Sequence, residues 1–257
     1  MRIAFLFNYP LADNTPWKQH LIRTLRDRHE LLVLFGKTRL IDHARAYLRR
    51  RKEEDVRDAA RPVASAEARR RTVAVLKELR VPVRRVRSLN DPDCEKILNE
   101  FKPDFVVTAL DHLLARRIIN AVPMVLNVHY GVLPEIKGWN ATEWSLLVAG
   151  RLTVSLQRVV WPVDCGEIYL TRAVEVLPSD DLASLREKCQ SVALQLYLEF
   201  FRDPEACIRA ALPGSAGKTY YVMNRQLKQQ VIDLIRAGRF SSGEARRPSP
   251  SEKSAGK

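Results

Sequence analysis

The chain has 257 residues, is 46% hydrophobic and carries a formal net charge of +13. That length suits a globular protein with a sizeable buried core, built as one large domain or one domain with an appendage, and no run of about 18 apolar residues is present to span a bilayer. The first apolar run, residues 3–7, is too short for a secretory leader and meets Asn8-Tyr9-Pro10 without a small-residue cleavage site, and the four cysteines stand far apart, so a cytoplasmic protein with reduced thiols is expected.

The positive charge is unevenly spread. Arginines crowd between Arg45 and Arg87, including the runs 49–51 and 69–71, with almost no aromatic residue among them. A single-strand nucleic-acid binder interleaves stacking rings with its charge. The stretch reads either as a solvated, Arg-rich helical face or as an attractor of an anionic ligand, whether a cofactor, a nucleotide or an RNA. Nucleic acid is disfavoured as a partner and stays open on charge alone.

In chain order, residues 2–7 form a short apolar run of strand formers ending in a turn. Asn14 or Thr15 followed by Pro16 starts a helix with Trp17, Leu21 and Leu25 at four-residue spacing. Residues 31–35 are a second strand. This strand, helix, strand order implies a parallel pair with a right-handed crossover. Gly36-Lys37-Thr38 lacks the upstream glycine of a phosphate loop and reads as an ordinary loop. Residues 41–78 are helical and charged, with a break around Arg61-Pro62. A short edge strand follows over residues 81–86, and Asp91-Pro92-Asp93 caps a helix that reaches Phe101.

Residues 105–110 are a continuous apolar strand of the kind covered on both sheet faces. The loop after it holds Asp111, His112, Leu113 and Leu114, at the carboxyl end of a strand, where ligands bind in open α/β folds. A short helix over residues 116–120 leads to a strand over residues 124–129, which ends on the same edge. A turn, a helix over residues 141–149 with Trp144, Leu147 and Val148 inward, and strands over 153–160 and 168–176 come next. Ser179-Asp180-Asp181 caps a long helix over residues 182–201. A short helix over residues 204–212, a linker over 213–217 and a helix over about 225–237 precede a Ser-, Pro- and Gly-rich end.

The polar residues of the middle stretch recur in an order with chemical meaning. Asn127-Val128-His129 is followed by Leu133-Pro134, by Lys137-Gly138 and, 35 positions after His129, by Asp164-Cys165-Gly166. This series resembles the folate-dependent formyltransferase family, whose signature is Asn-x-His, a Leu-Pro turn ending in a basic residue and Gly, and a downstream Asp-x-Gly. The resemblance is carried by residues 103–200 and, earlier, by strand order alone. It implies a Rossmann-like doubly wound, mostly parallel sheet with a short helical C-terminal extension. Residues 1–212 would then be the catalytic domain, residues 213–240 the extension and residues 241–257 a disordered tail.

The same resemblance implies transfer of a formyl group from 10-formyltetrahydrofolate to an amine. That chemistry needs a donor aimed at a developing oxygen charge, which the Asn127 amide can supply. It also needs a proton carrier titrating near neutrality, His129, and a carboxylate to orient that ring, Asp164. Two loops of the family hold the pterin; here they correspond to His112, Leu113 and Leu114, and to Val160, Trp161, Pro162 and Val163. The family often has Thr-x-His in the strand after the turn, whereas this chain has Ser155-Leu156-Gln157. The stretch Trp139-Asn140-Ala141-Thr142-Glu143-Trp144 also departs from the family, so Trp139, Asn140 and Glu143 are candidates for acceptor binding.

A small-molecule primary amine, such as a nucleotide-linked amino sugar or a specialised metabolite, is the expected acceptor. The tRNA-modifying members carry a further carboxyl-terminal barrel, and the purine-pathway members open with a Gly-rich turn where this chain has residues 8–14. Hydrolysis of the formyl-folate, a methionyl-tRNA formyltransferase-like activity and a basic nucleic-acid module without chemistry are the alternatives. No metal or membrane partner is implied.

Overall fold

The computed structural model describes residues 1–8, 16–36, 74–110, 112–214 and 217–240. Seven strands form the main sheet: β1 (Arg2–Asn8), β2 (Glu30–Gly36), β3 (Val83–Val86), β4 (Phe105–Ala109), β5 (Val125–His129), β7 (Thr153–Arg158) and β8 (Ile168–Ala173). They lie in the order β3-β2-β1-β4-β5-β7-β8, and β6 (Ile136–Gly138) pairs with β9 (Lys218–Tyr220) in a separate parallel ribbon. All pairs from β3 to β5 are parallel, while β5–β7 and β7–β8 are antiparallel. This is the mostly parallel, doubly wound sheet expected from the sequence.

The alternation of side chains along each strand explains the layering. Ile3, Phe5 and Phe7 of β1 point into one apolar cluster, while Ala4 and Leu6 point into a second on the opposite face. Both faces are therefore dry, which is why β1, β2 and β4 read as unbroken apolar runs. The first face is covered by α1 (Pro16–Leu25) and by the long helix α5 (Leu182–Arg202); the second takes α2 (Pro92–Phe101) and α3 (Arg116–Asn120).

Helix α1 buries Trp17, Leu21 and Leu25, as their spacing predicts, and Trp17 stacks on Tyr197 of α5 at 5.8 Å between ring centroids. Helix α5 carries Leu185, Cys189, Ala193, Leu196 and Phe200 down one stripe. Each large apolar side chain removed from water contributes about 1.5–3 kcal/mol. Its first turn is closed by a reciprocal pair: Asp181 accepts from Ser184 N, and the Ser184 hydroxyl accepts from Asp181 N.

Three local expectations are corrected. The segment after β6 begins as the α-helical turn α4 (Ala141–Trp144) and then widens into a π turn over Ser145–Ala149. The wider winding changes which residues face inward. Leu146 is buried, Leu147 is half-buried, and Val148 is exposed rather than inward. Strand β7, expected over residues 153–160, ends at Arg158, and Val154, Ser155, Leu156 and Gln157 are all buried. Residues 218–220, placed in the sequence between a linker and a helix, form strand β9.

After the short helix α6 (Pro204–Arg209), Leu212 bridges to Ile168, and α7 (Arg225–Arg236) sends Val231 and Ile235 into the main apolar cluster. The Arg-rich stretch lies largely outside the described residues, as do the Gly36-Lys37-Thr38 loop beyond Gly36 and residues 241–257. Residues 74–78 are helical. Among the described residues no helix is long and apolar enough to cross a membrane, and no cluster of His, Cys, Asp and Glu is arranged to hold a metal ion.

Candidate active site

The site is built from the carboxyl end of β5, the β6 strand and the turn between β7 and β8. Asn127 and His129 are two residues apart on β5, so the pleat turns them to the same side of the sheet. Asn127 lies opposite Gln157 and His129 opposite Ser155 in the antiparallel register with β7. Asp164 sits in the following turn with φ 55°, a left-handed conformation that an aspartate tolerates. The turn is tight because Gly166 passes against Arg158, where a Cβ would lie 2.0 Å from the Arg158 carbonyl oxygen.

His129 is 6% exposed. Its Nε2 lies 2.8 Å from the Ile136 carbonyl oxygen, and its Nδ1 lies 3.6 Å from Asp164 Oδ1. A carbonyl can only accept, so Nε2 carries the hydrogen in that bond. Nδ1 is therefore the nitrogen free to take up or release a proton, and it is the one that faces the carboxylate. At 3.6 Å the Nδ1–Asp164 contact is an electrostatic one rather than a direct hydrogen bond.

Asp164 is held from both sides. Gly138 N donates to Oδ2 at 3.1 Å, and Gln157 Nε2 donates to Oδ1 at 2.7 Å. Gly138 has φ 92°, and a Cβ there would lie 2.3 Å from the Tyr220 carbonyl oxygen. Glycine is thus required both by the backbone conformation and by the close approach of β9. One three-residue strand, β6, presents Ile136 O to the histidine and Gly138 N to the aspartate.

The sequence did not single out two of these partners. Gln157 is 1% exposed and stands where the family often has histidine; it donates to Asp164 while its Oε1 is buried with no hydrogen-bond partner among the described residues. Thr108 of β4, also buried, is 3.1 Å from the Leu126 carbonyl oxygen and 3.4 Å from Asn127 Oδ1 through its hydroxyl. The second contact sets the Asn127 side-chain oxygen against β4. A lone Thr inside an apolar strand carries no sequence signal for this role. Gln157 had one in the departure from Thr-x-His.

The two loops expected to hold a pterin approach each other. The guanidinium of Arg116, just after His112, Leu113 and Leu114, lies 5.3 Å from the centre of the Trp161 ring. His112, Leu113, Trp161 and Pro162 are exposed, and Val160 and Val163 are half-buried. Leu114 belongs to the apolar core, so only its backbone is available to a ligand. The Leu113 carbonyl already accepts from Asn90 Nδ2 at 2.8 Å.

The stretch expected to meet the acceptor is engaged with residues 220–223. Asn140 Oδ1 accepts from Met223 N at 3.0 Å, and its Nδ2 donates to Glu143 Oε1 at 3.0 Å; Glu143 is buried. The Trp144 indole donates to the Tyr221 carbonyl oxygen and packs on Tyr220. Trp139 donates its backbone N–H to the Tyr220 carbonyl oxygen while its side chain is 47% exposed.

Comparison with known proteins places this geometry in context. The chain is 26% identical over 180 residues to methionyl-tRNA formyltransferase of Bacillus velezensis, covering 69% of this chain and 54% of that protein. It therefore spans about half the length of the curated relatives it matches. In fold it is similar to a sugar N-formyltransferase from Shewanella sp. (TM-score 0.57, 14% identity, 92% of this chain and 88% of that one). It is similar also to glycinamide ribonucleotide transformylase 1 from Symbiobacterium toebii (TM-score 0.58, 18% identity, 87% and 94%). A formyl transferase family model matches residues 11–201, running from before the first helix to the end of α5 and taking in Asn127, His129 and Asp164, and the chain belongs to that family.

Proposed function

We propose that the protein transfers the formyl group of 10-formyltetrahydrofolate to a primary amine on a small-molecule acceptor. The observation that carries this reading is the fixed polarity of His129: Nε2 is committed to the Ile136 carbonyl, so proton exchange is confined to Nδ1, facing Asp164. Bound 10-formyltetrahydrofolate supplies the formyl carbon and the nitrogen that leaves it.

The protein's own residues supply the rest. The NH₂ of Asn127, whose oxygen faces Thr108, donates to the negative charge that develops on the formyl oxygen. His129 Nδ1 relays the proton lost by the attacking amine, and the Asp164 carboxylate stabilises the ring while it is charged. Gln157 and Gly138 keep that carboxylate in place. The exposed surfaces of Leu113 and Trp161, with the half-buried Val160 and Val163, fit an apolar ring edge, and backbone groups of 112–114 and 160–163 fit its polar edge. Transfer to a sugar amine is supported by the fold likeness to the Shewanella enzyme over 92% of the chain. Trp139 is the exposed side chain of the acceptor stretch, whereas Asn140 acts by accepting from Met223 N and Glu143 by holding the Asn140 amide.

The test is to incubate the protein with 10-formyltetrahydrofolate and a panel of amines, including nucleotide-linked amino sugars. Tetrahydrofolate should be released only when an acceptor is present. Release without any amine would establish the hydrolase instead. Absence of folate binding would overturn the reading altogether.

A further inference from the structure

Beside the Asp164 turn lies a pair that the transfer chemistry does not use. Lys137 is only 4% exposed, and its Nζ is 3.1 Å from the sulfur of Cys165; among the described residues this thiol is the ammonium's one hydrogen-bond partner. A buried ammonium ordinarily ends on a carboxylate or on carbonyl oxygens. Here a primary amine and a thiol are packed in direct contact, with no other atom of the protein between them. Cys165 is half-buried, within reach of a small oxidant, and differs in this from Cys94 and Cys189.

We propose that Lys137 and Cys165 are a modification site at which hydrogen peroxide drives formation of a covalent sulfur–nitrogen cross-link. Peroxide first converts the Cys165 thiol to the sulfenic acid: the O–O bond breaks, an S–O bond forms and one water leaves. The Lys137 amine, after giving its extra proton to solvent, attacks that sulfur. An S–N bond forms, the S–O bond breaks, and the hydroxyl departs as a second water with a proton from nitrogen. In balance, thiol and amine together lose two hydrogens, the sulfur is oxidised, and one hydrogen peroxide is reduced to two waters. Sulfenic acids condense in this way with a backbone nitrogen, and here the nitrogen held against the sulfur is the Lys137 amine.

The other cysteines supply a built-in comparison. Burial pushes the Cys94 and Cys189 thiols up to about 12 and also raises that of Cys207, which keeps all three in the unreactive thiol form. Among the described residues none of them is held by a lysine. The cross-link would act at a sensitive point: it makes covalent the Lys137–Cys165 contact that, beside the Gly138–Asp164 hydrogen bond, joins the Asp164 turn to β6. The inference rests on the Lys137–Cys165 contact and stands whether or not the formyl acceptor is correctly assigned.

The experiment is peroxide treatment of the full-length protein followed by proteolysis and mass mapping. The expected product is a pair of peptides joined through residues 137 and 165, lighter by two hydrogens than their sum and separated again by dithiothreitol. Lys137→Arg keeps the positive charge but removes the primary amine, and should leave a Cys165 sulfenic acid that dimedone traps. A wild-type protein whose Cys165 is trapped by dimedone with Lys137 unmodified would overturn the proposal. So would a linked pair carrying an extra oxygen, or oxidation at Cys94, Cys189 or Cys207 ahead of Cys165. These outcomes are read on the wild-type chain, so the proposal remains testable if the variant does not fold.

Discussion

The two halves of the sheet are held together by different physics. From β3 to β4 the strands pair in parallel, and their interior is apolar on both faces; among the described residues before Thr108, Lys18 is the one buried polar side chain. From Thr108 onward the interior holds His129, Lys137, Glu143, Ser145, Ser155, Gln157, Asp180 and Lys228. The first half gains stability from area and packing, which tolerate changes of shape but not cavities. The second depends on partners, because a polar group left alone in the interior costs about 1–3 kcal/mol. The proposed chemistry lies in the half whose interior is built on polar partners.

That contrast can be broken most forcefully at the histidine. His129→Ala should lower turnover by about 10²–10⁴-fold while folate affinity, followed by fluorescence, changes little. A rate unaffected by the substitution would remove the role given to the imidazole. In the apolar packing of the sheet face under α5, Phe200 is fully buried against Phe105, Phe201 and Tyr169. Truncating it to alanine should cost about 3–5 kcal/mol of stability, seen as a lowered denaturation midpoint. A loss of rate without that shift would blur the division between the halves.

Gln157→Leu sharpens the comparison with a smaller effect. It removes a bonded donor and an orphaned acceptor together, so the unfolding midpoint should move little. Asp164 loses one of its two anchors, and turnover should fall about tenfold, the effect of one hydrogen bond near 1.4 kcal/mol. A stability loss as large as that of Phe200→Ala would mean that the amide is structural.

The smallest effect is electrostatic and appears only in acid. Burial works to raise the Asp180 carboxyl, but hydrogen bonds from Lys188, Leu177 N and Ser184, together with the Lys188 charge, outweigh it and hold the group below its ordinary range. A depressed folded-state value means that the stabilisation is present above the unfolded value of about 3.9 and is lost as pH falls through the lower folded value. Asp180→Asn should therefore flatten the pH dependence of the denaturation midpoint below about pH 4. An unchanged slope would show that the carboxylate contributes nothing there.

The sequence disclosed the parallel half almost completely, because strands buried on both faces are long apolar runs and α1 repeats its apolar residues at helical spacing. The second half was harder to read. Strands β6 and β9 are three residues each, too short for any periodicity, and they pair across a separation of about eighty residues in the chain. The π turn after Trp144 could not be told from a continuing helix by composition, which put Val148 on the wrong side. Asn127, His129 and Asp164 were legible as an ordered set of polar residues. Gln157 was seen only as a departure, since its contact with Asp164 exists only once the turn has folded back over β7.

The pairing of β6 with β9 also bears on how the site acquires its shape. Strand β6 lends a carbonyl to His129 and an amide to Asp164, yet its own neighbour in the ribbon is β9, formed by residues 218–220, and Met223 then closes onto Asn140. The strand that backs β6 lies more than fifty residues after Asp164, so the alignment of the Ile136 carbonyl and the Gly138 amide is tied to a part of the chain remote from the polar series itself.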